Sequence, residues 1–168
     1  HGYGPQAADY KRAREVWYEL DIPLHRVDFA AEYRTRVFGR FLADYRNGQT
    51  PDPDVVCNRE VKFNPFREHA LRLGADYVAT GHYARLESTA EGPRLLRAAD
   101  ENKDQTYFLA AVERPLFERV LFPVGALTKP EVRSIAQRAG LPNHCRRDST
   151  GICFIGERPF RAFLAQYL

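Results

Sequence analysis

The most informative stretch for the fold reads Leu73-Gly74-Ala75-Asp76-Tyr77-Val78-Ala79-Thr80-Gly81-His82-Tyr83, at residues 73–83. Gly74 ends a helical pattern, and the apolar run that follows it stops at Gly81 and His82. An apolar strand that follows a helix is typical of a parallel sheet in an α/β protein. In open sheets of this kind the ligand crevice lies beyond the strand ends. The stretch therefore predicts an α/β fold with Gly81 and His82 at its ligand-binding edge.

Helical patterns dominate the chain on both sides of this strand. Apolar spacing and breaker residues predict helices over 7–20, 31–46, 62–73, 106–112, 129–140 and from about 159. Alternation predicts a strand over 24–29 and a short strand over 94–97. The double-proline segment 50–54 is expected to form a turn, because proline removes a backbone donor and fixes φ. The pattern is α/β at first and mostly helical from about Asp104 onwards.

Composition places the chain among globular, nucleic-acid-compatible proteins. With 168 residues and 44% hydrophobic residues, it is long enough for one domain, or for one and part of another. No apolar run approaches the roughly 20 residues that span a bilayer, and the start lacks the pattern of a signal peptide. Three cysteines without a secretory signal favour a reducing compartment, so we expect a cytoplasmic protein without membrane contact. Arginine outnumbers lysine by 21 to 4, which suits phosphate binding but is equally typical of a GC-rich genome.

Cys57 is the first of two cysteines with a plausible chemical role. It follows Asp54 by three residues, at the end of the proline-rich turn and before a predicted helix. A helix N-terminus, together with Arg59 and Lys62, favours a thiolate. A nearby carboxylate such as Asp54 can serve as a general acid or base. The alternative is that Cys57 is a small buried hydrophobic residue, as most lone cysteines are.

Cys153 is the second, in the glycine-flanked segment Asp148-Ser149-Thr150-Gly151-Ile152-Cys153-Phe154-Ile155-Gly156-Glu157. Flanking glycines and the preceding arginines suit an exposed, mobile thiolate, which is the species that transfers sulfur. A loop cysteine packed on Phe154 is the alternative. Cys145 lies beside His144, but a single pair without CxxC spacing is weak support for a zinc site, and we expect no metal.

Two further segments carry polar groups whose role the local pattern leaves open. His82 at its strand end is either a ligand contact or a half-buried histidine with satisfied hydrogen bonds. The run Lys103-Asp104-Gln105 either touches RNA or caps the following helix through Asp104.

Taken in order, five segments closely resemble the tRNA-specific 2-thiouridylase family. They are 50–58, with the first cysteine, 73–83, 102–109, 121–125, and 148–157, with the second cysteine. The likeness covers nearly the whole chain. It implies a partial PP-loop ATPase-like (adenine nucleotide alpha hydrolase-like) α/β fold with a parallel sheet and helical tRNA-binding insertions.

The resemblance also implies a reaction. Enzymes of this family make 2-thiouridine at the wobble position of tRNAs for Lys, Glu and Gln, using ATP with Mg²⁺ and a persulfide from a sulfur-relay donor protein. By this resemblance, Cys153 carries the persulfide and Cys57 is the nucleophile that releases its sulfur, which leaves a Cys57–Cys153 disulfide. Asp54 assists proton transfer, and Gly81 matches an ATP contact. The matching tRNA contacts are Asp52, Pro53, Asp54, His82, Lys103, Asp104 and Gln105, and the target base must be flipped to be reached.

Two departures from the family pattern bear on these implications. Asp52 stands where the family usually has asparagine, which alters how the uracil edge is contacted. The family's N-terminal phosphate loop and its C-terminal β domains have no counterpart in the sequence. We therefore expect an internal fragment that cannot adenylate RNA by itself.

The resemblance suggests four regions along the chain. Residues 1–84 are expected to be part of the catalytic domain, with a helical tRNA-binding insertion at about 39–51. Residues 85–120 are expected to be a helical tRNA-binding region, 121–157 a return to the catalytic domain, and 158–168 the start of a central domain. Two rival functions remain, namely a non-catalytic RNA-binding module and a dithiol redox protein.

Overall fold

The computed structural model describes residues 5–146, 148, 152 and 159–168. These residues divide into two compact units. One contains residues up to Val27 together with those from Lys129 to Arg158 that are described, and the other contains Asp28–Thr128 and Pro159–Leu168. The four regions predicted from the sequence, 1–84, 85–120, 121–157 and 158–168, do not coincide with these two units. Their assignment to catalytic and tRNA-binding domains stays a prediction.

The first unit contains two helices, Pro5–Leu20 and Lys129–Arg138, both close to their predicted bounds. Asp148 forms ion pairs with Lys129 at 3.0 Å and with Arg133 at 3.6 Å. These pairs hold the start of the second cysteine motif against the first turns of the Lys129–Arg138 helix. Residues 24–29, predicted to be a strand, are irregular. Leu24 and Val27 are more than a third exposed, so the alternating pattern has no buried face.

A long helix at residues 30–46 opens the second unit. It consists of α-helical Ala30–Glu32, π-helical Tyr33–Phe38 and α-helical Gly39–Arg46. The Thr35 hydroxyl donates to the Ala31 carbonyl at 3.0 Å, and such bonds compete with the backbone ladder and bend helices. Aromatic rings of this helix pack against those of the terminal helix Phe160–Leu164 and its flank; the rings are Phe38, Phe41, Tyr45, Phe160, Phe163 and Tyr167.

A second long helix, at residues 53–72, carries Cys57, and we call it the cysteine helix. Its segments are α-helical Pro53–Cys57, π-helical Asn58–Phe66 and α-helical Arg67–Arg72. Pro65 inside the π segment has no N–H to donate, and its ring would clash with the carbonyl four residues earlier in an α-helix. The wider π turn relieves this clash. The helix was predicted to begin at about Lys62, and its true start at Pro53 corrects that prediction.

The strands form two small sheets. Strand β1, Val78–Ala79, pairs in parallel with β4, Val120–Leu121. Strands β2, Ala84–Thr89, and β3, Gly92–Arg97, form an antiparallel hairpin. Two 3₁₀-helices, Thr106–Leu109 and Arg114–Phe117, follow. The parallel pairing confirms the predicted α/β class.

Residues 85–120 were expected to be helical, and this expectation is wrong. The β2–β3 hairpin and the short 3₁₀-helices occupy the segment, and the helix predicted over 106–112 is limited to Thr106–Leu109. One buried core holds these pieces together and includes Phe63 of the cysteine helix. Its other buried members are Ala84, Leu109, Val112, Phe117 and Val120. The core thus fixes the cysteine helix against the hairpin and the β1–β4 pair.

Candidate active site

The first turn of the cysteine helix is organised by Asp52. Its Oδ1 accepts hydrogen bonds from the backbone N–H groups of Asp54 at 3.0 Å and Val55 at 3.2 Å. Asp52 is therefore the N-cap, and Pro53 occupies the first helical position, where its missing N–H costs nothing. An asparagine could cap the helix equally well, so the carboxylate at this position does not alter the local fold.

Asp54 lies in that first turn, partly buried. Burial raises the pKa of Asp54 above its ordinary value of 3.8, and the negative charge of Asp52 adds to the rise, whereas Lys62 acts in the opposite direction. A carboxyl group with a raised pKa can hold or release a proton closer to neutral pH. This property fits the predicted role of Asp54 in proton transfer.

We expect Asp54→Asn to stabilise the protein at neutral pH. The pKa of Asp54 is higher in the folded state, so its stabilising contribution is complete below 3.8 and is lost as pH rises through the folded pKa. Asparagine does not ionise. The variant's advantage in free energy of unfolding should therefore grow between about pH 3 and about pH 7. Denaturant titrations across this range, with the exposed Asp76→Asn as matched control, measure it. An advantage that shrinks with rising pH would contradict the burial argument.

Cys57 is the last residue of the α-helical segment that begins at Pro53. It was predicted to lie just before a helix, and it lies instead in the helix, at the junction with the π segment. Its side chain is half-buried and carries a thiol, so it is neither sealed in the core nor fully exposed. Cys153 lies outside the described residues. Cys145 is exposed, and the described residues contain no group of three or more metal-ligating side chains.

The end of strand β1 is shaped by Gly81 and His82. A Cβ added at Gly81 would meet no atom of the described residues within 4 Å, so on their side the backbone is open to close approach by a ligand. His82 is only 8% exposed and packs between the rings of Phe63 and Phe122. Its Nδ1 lies 2.7 Å from the Thr80 hydroxyl. Burial, and after it the charge of Lys62, lowers the pKa of His82 from 6.5 to about 4, so its imidazole is neutral at physiological pH.

The side-chain oxygens of Asp104 and Gln105 are engaged within the protein. Asp104 accepts hydrogen bonds from the Ala98 N–H at 2.9 Å and the Thr106 hydroxyl at 2.8 Å. Burial acts to raise the pKa of Asp104, but these bonds and the charge of Arg97 outweigh it and lower the pKa below 3.8. Gln105 Oε1 accepts from the Tyr83 N–H at 3.0 Å, and the Gln105 N–H donates to the Tyr83 carbonyl at 2.9 Å.

These bonds bring the predicted site segments together. Gln105 binds the backbone directly after Gly81 and His82, while Phe63 of the cysteine helix contacts His82 with ring centroids 5.9 Å apart. Lys62, on the cysteine helix, acts to lower the pKa of both Asp54 and His82. The segments 52–57, 81–83 and 103–105 therefore form one connected cluster in the second unit, which we call the candidate site.

Sequence reasoning missed the residues that join these segments. Asn58, directly after Cys57, is only 1% exposed and donates to the Phe108 carbonyl at 3.1 Å. Thr80 orients His82. A polar residue beside the candidate cysteine was a possible signal for Asn58. Its partner, however, lies 50 positions away in the sequence, so nothing local indicated burial.

No helix among the described residues is long and apolar enough to cross a membrane. That finding agrees with the absence of long apolar runs in the sequence.

Comparison with known proteins places the chain in a family. Residues 1–157 match a family model described as the tRNA methyl transferase HUP domain. The tRNA-specific 2-thiouridylase MnmA of Alcanivorax borkumensis is 56% identical over 95% of this chain and 44% of its own length. The proteins of the same name from Nitrosomonas eutropha and Streptococcus thermophilus are 54% and 55% identical, over 99% and 95% of this chain.

The chain spans less than half the length of these curated relatives, namely 44%, 46% and 43%. The match nevertheless runs through all five motifs, and the parallel β1–β4 pair with its flanking helices agrees with a PP-loop ATPase-like domain. The chain therefore belongs to the tRNA methyl transferase HUP-domain family, and tRNA-specific 2-thiouridylases are its curated relatives.

Proposed function

We propose that the protein containing this chain is an ATP-dependent tRNA sulfurtransferase that forms 2-thiouridine at the wobble uridine of tRNAs for Lys, Glu and Gln. The observation that carries the proposal is the candidate site, which unites a half-buried thiol, a carboxyl group with raised pKa and an open glycine. The names of the curated relatives support the same reaction. We place the reaction in the cytoplasm, with a sulfur-relay protein as persulfide donor.

In this proposal the two cysteines divide the sulfur chemistry. Bound ATP, with Mg²⁺, supplies the adenylyl group that makes the C2 oxygen of the flipped uridine a leaving group. The terminal sulfur of the Cys153 persulfide attacks C2, and AMP departs with that oxygen. The Cys57 thiolate then attacks the Cys153 sulfur and breaks the S–S bond, so that thiouridine is released and a Cys57–Cys153 disulfide remains. An external thiol reductant restores both cysteines.

The other residues of the candidate site bind and position the substrate. Asp52, Pro53 and Asp54 form the turn offered to the uracil edge, and Asp54 moves a proton there. Lys103 and the backbone beside the buried His82 line the surface proposed for tRNA. Asp104 and Gln105 contribute by fixing the segment that carries Lys103, because their oxygens are engaged in internal hydrogen bonds.

Nucleoside analysis tests the proposed function. The complete gene product, incubated with ATP, Mg²⁺, a persulfide donor and unmodified tRNA, should produce 2-thiouridine only when all of them are present. A non-catalytic RNA-binding module would bind the tRNA and leave the nucleosides unchanged. A dithiol redox protein would cycle between thiols and disulfide without tRNA or ATP. Either outcome would contradict the proposal.

Gly81→Ala should separate ATP binding from folding. The added methyl group meets no atom of the residues that the structure describes within 4 Å, and Gly81 has no positive φ, so thermal unfolding should be unchanged. If the adenine nucleotide approaches this backbone, the methyl group should weaken ATP binding about tenfold, or about 1.4 kcal/mol. Calorimetric titration with ATP measures the effect. Gly39→Ala is the control, because Gly39 lies in the helix at residues 30–46, outside the candidate site, with a helical φ of −60°. Unchanged ATP affinity would remove Gly81 from the nucleotide site.

A further inference from the structure

The position of the Cys57 thiol depends on how the cysteine helix is fastened at its α-to-π junction. Asn58 stands at that junction, as the residue that follows the α-helical segment and begins the π segment. It is among the most deeply buried side chains of the described residues, together with apolar Phe41, Phe63, Leu109 and Val37. Burial of a carboxamide among apolar side chains costs free energy unless it is hydrogen-bonded, so a buried asparagine at this position indicates a specific role.

The Nδ2 group of the Asn58 carboxamide binds the cysteine helix to the segment at residues 105–108. Its Nδ2 donates to the Phe108 carbonyl at 3.1 Å, which assigns the orientation of the amide, since the carbonyl can only accept. Phe108 in turn donates its N–H to the Gln105 carbonyl at 3.1 Å. Gln105 is bound twice to the backbone of Tyr83. A continuous path of hydrogen bonds therefore runs from the residue beside Cys57, through 105–108, to the turn beside Gly81 and His82.

The other half of the carboxamide shows that packing alone does not account for Asn58. Its Oδ1 is buried, and no described residue donates a hydrogen bond to it. An apolar residue of similar size would avoid this cost, so Asn58 is poorly suited to simple core filling. The donor function of Nδ2 is what the asparagine adds.

We infer that Asn58 is a positioning residue for the Cys57 thiol. Its hydrogen bond holds the thiol in a fixed position relative to the segments proposed to bind ATP and tRNA. This inference rests on the proposed function, since it assigns Asn58 to the sulfur-transfer step. The hydrogen bond of Asn58 goes to the Phe108 backbone carbonyl, so in this inference Asn58 acts through the helix that carries Cys57. Loss of the bond to Phe108 lets the junction shift, and a displacement of about 1 Å in a reacting group can cost about 100-fold in rate.

Single-turnover thiolation at saturating tRNA, in the complete gene product, tests the inference. Asn58→Ala should slow this rate about 10- to 100-fold, while tRNA affinity stays within about twofold. Asn64→Ala is the matched control, because Asn64 lies in the same π segment and its carboxamide makes no hydrogen bond to any described residue. The control should keep the wild-type rate.

Asn58→Asp tests the role of the hydrogen bond through the pH dependence of the thiolation rate, which a purely structural role of Asn58 would not change. The introduced carboxyl is neutral at low pH and can then donate to the Phe108 carbonyl, whereas the ionised form cannot. Burial raises the pKa of such a group, so the ratio of variant to wild-type rate should rise as pH falls from about 8 to about 6. Both proteins must be fully folded over this range, as judged by thermal unfolding at each pH. This variant also tests the inference if Asn58→Ala fails to fold.

The outcomes separate this inference from the proposed function. If the wild type produces no 2-thiouridine, the proposed function fails. If the wild type is active and Asn58→Ala matches it, the function stands and the positioning role is overturned. A pH-independent ratio for Asn58→Asp would overturn it as well, since donation to Phe108 would then be irrelevant to rate.

Discussion

In the complete gene product, replacement of Cys57 by serine should abolish the proposed thiolation and leave tRNA binding intact. The serine hydroxyl is nearly isosteric with the thiol, so the half-buried site at the end of Pro53–Cys57 should keep its packing. A serine hydroxyl cannot form the disulfide with Cys153 by which the thiol would release the sulfur. Loss of an enzyme's nucleophile typically costs about 10³-fold or more in turnover. Mass analysis of tRNA nucleosides measures the product, and filter binding measures tRNA affinity.

Cys145→Ser is the matched control for this experiment. Cys145 is an exposed cysteine outside the candidate site, and the proposal gives it no role. Its variant should thiolate at the wild-type rate. A fully active Cys57→Ser protein would show that the sulfur is released by another group and that the assigned role of Cys57 is wrong.

Gly125→Ala should cause the largest loss of stability. A Cβ at Gly125 would lie 1.6 Å from the Ala84 carbonyl oxygen and 2.6 Å from its carbon. These are backbone atoms of a fully buried residue at the start of β2, so they cannot rotate away. The Gly125 carbonyl accepts a hydrogen bond from the Ala99 N–H at 2.9 Å, and the Ala84 N–H donates to the His82 carbonyl at 3.0 Å, so both sides of the contact are restrained. The hairpin must move, at a cost of about 3 kcal/mol or more.

Denaturant unfolding of Gly125→Ala beside Gly81→Ala measures this difference. The same chemical change is made at both glycines, but only Gly125 faces an occupied space. The Gly81 variant should unfold at the wild-type midpoint. A loss below about 1 kcal/mol at Gly125 would mean that the backbone around Ala84 is far more yielding than its burial indicates.

The spacing of apolar and helix-breaking residues predicted the elements whose formation depends on neighbouring residues in the sequence. The 5–20 and 30–46 helices follow from apolar spacing and breaker residues, and strand β1 follows from its apolar run. The β2–β3 hairpin was largely missed. Its first strand carries Arg85, Glu87 and Ser88, residue types with weak strand preference, and it is stabilised by pairing with β3 and by burial of Ala84. Residues 24–29 show the reverse error, because alternation without a partner strand does not make a sheet.

The sequence indicated the segments of the candidate site but not the hydrogen bonds between them. Motif resemblance brought Asp54, Cys57 and Gly81 to attention, and the structure places their segments in one unit. The hydrogen bonds that connect those segments are made by Asn58 and by the side-chain oxygens of Asp104 and Gln105. The partners of Asn58 and Gln105 lie 50 and 22 positions away in sequence, and that of Asp104 depends on the course of a loop. Such pairings follow from the folded core, which single-sequence patterns do not specify.

Peptide mapping after one catalytic turnover tests the central claim most directly, namely that Cys57 releases the sulfur that Cys153 delivers to the uridine. The complete gene product, charged with persulfide and given ATP and unmodified tRNA without reductant, should yield one 2-thiouridine for each Cys57–Cys153 disulfide found. Thiouridine formed while both cysteines are recovered as unlinked thiols would contradict the account.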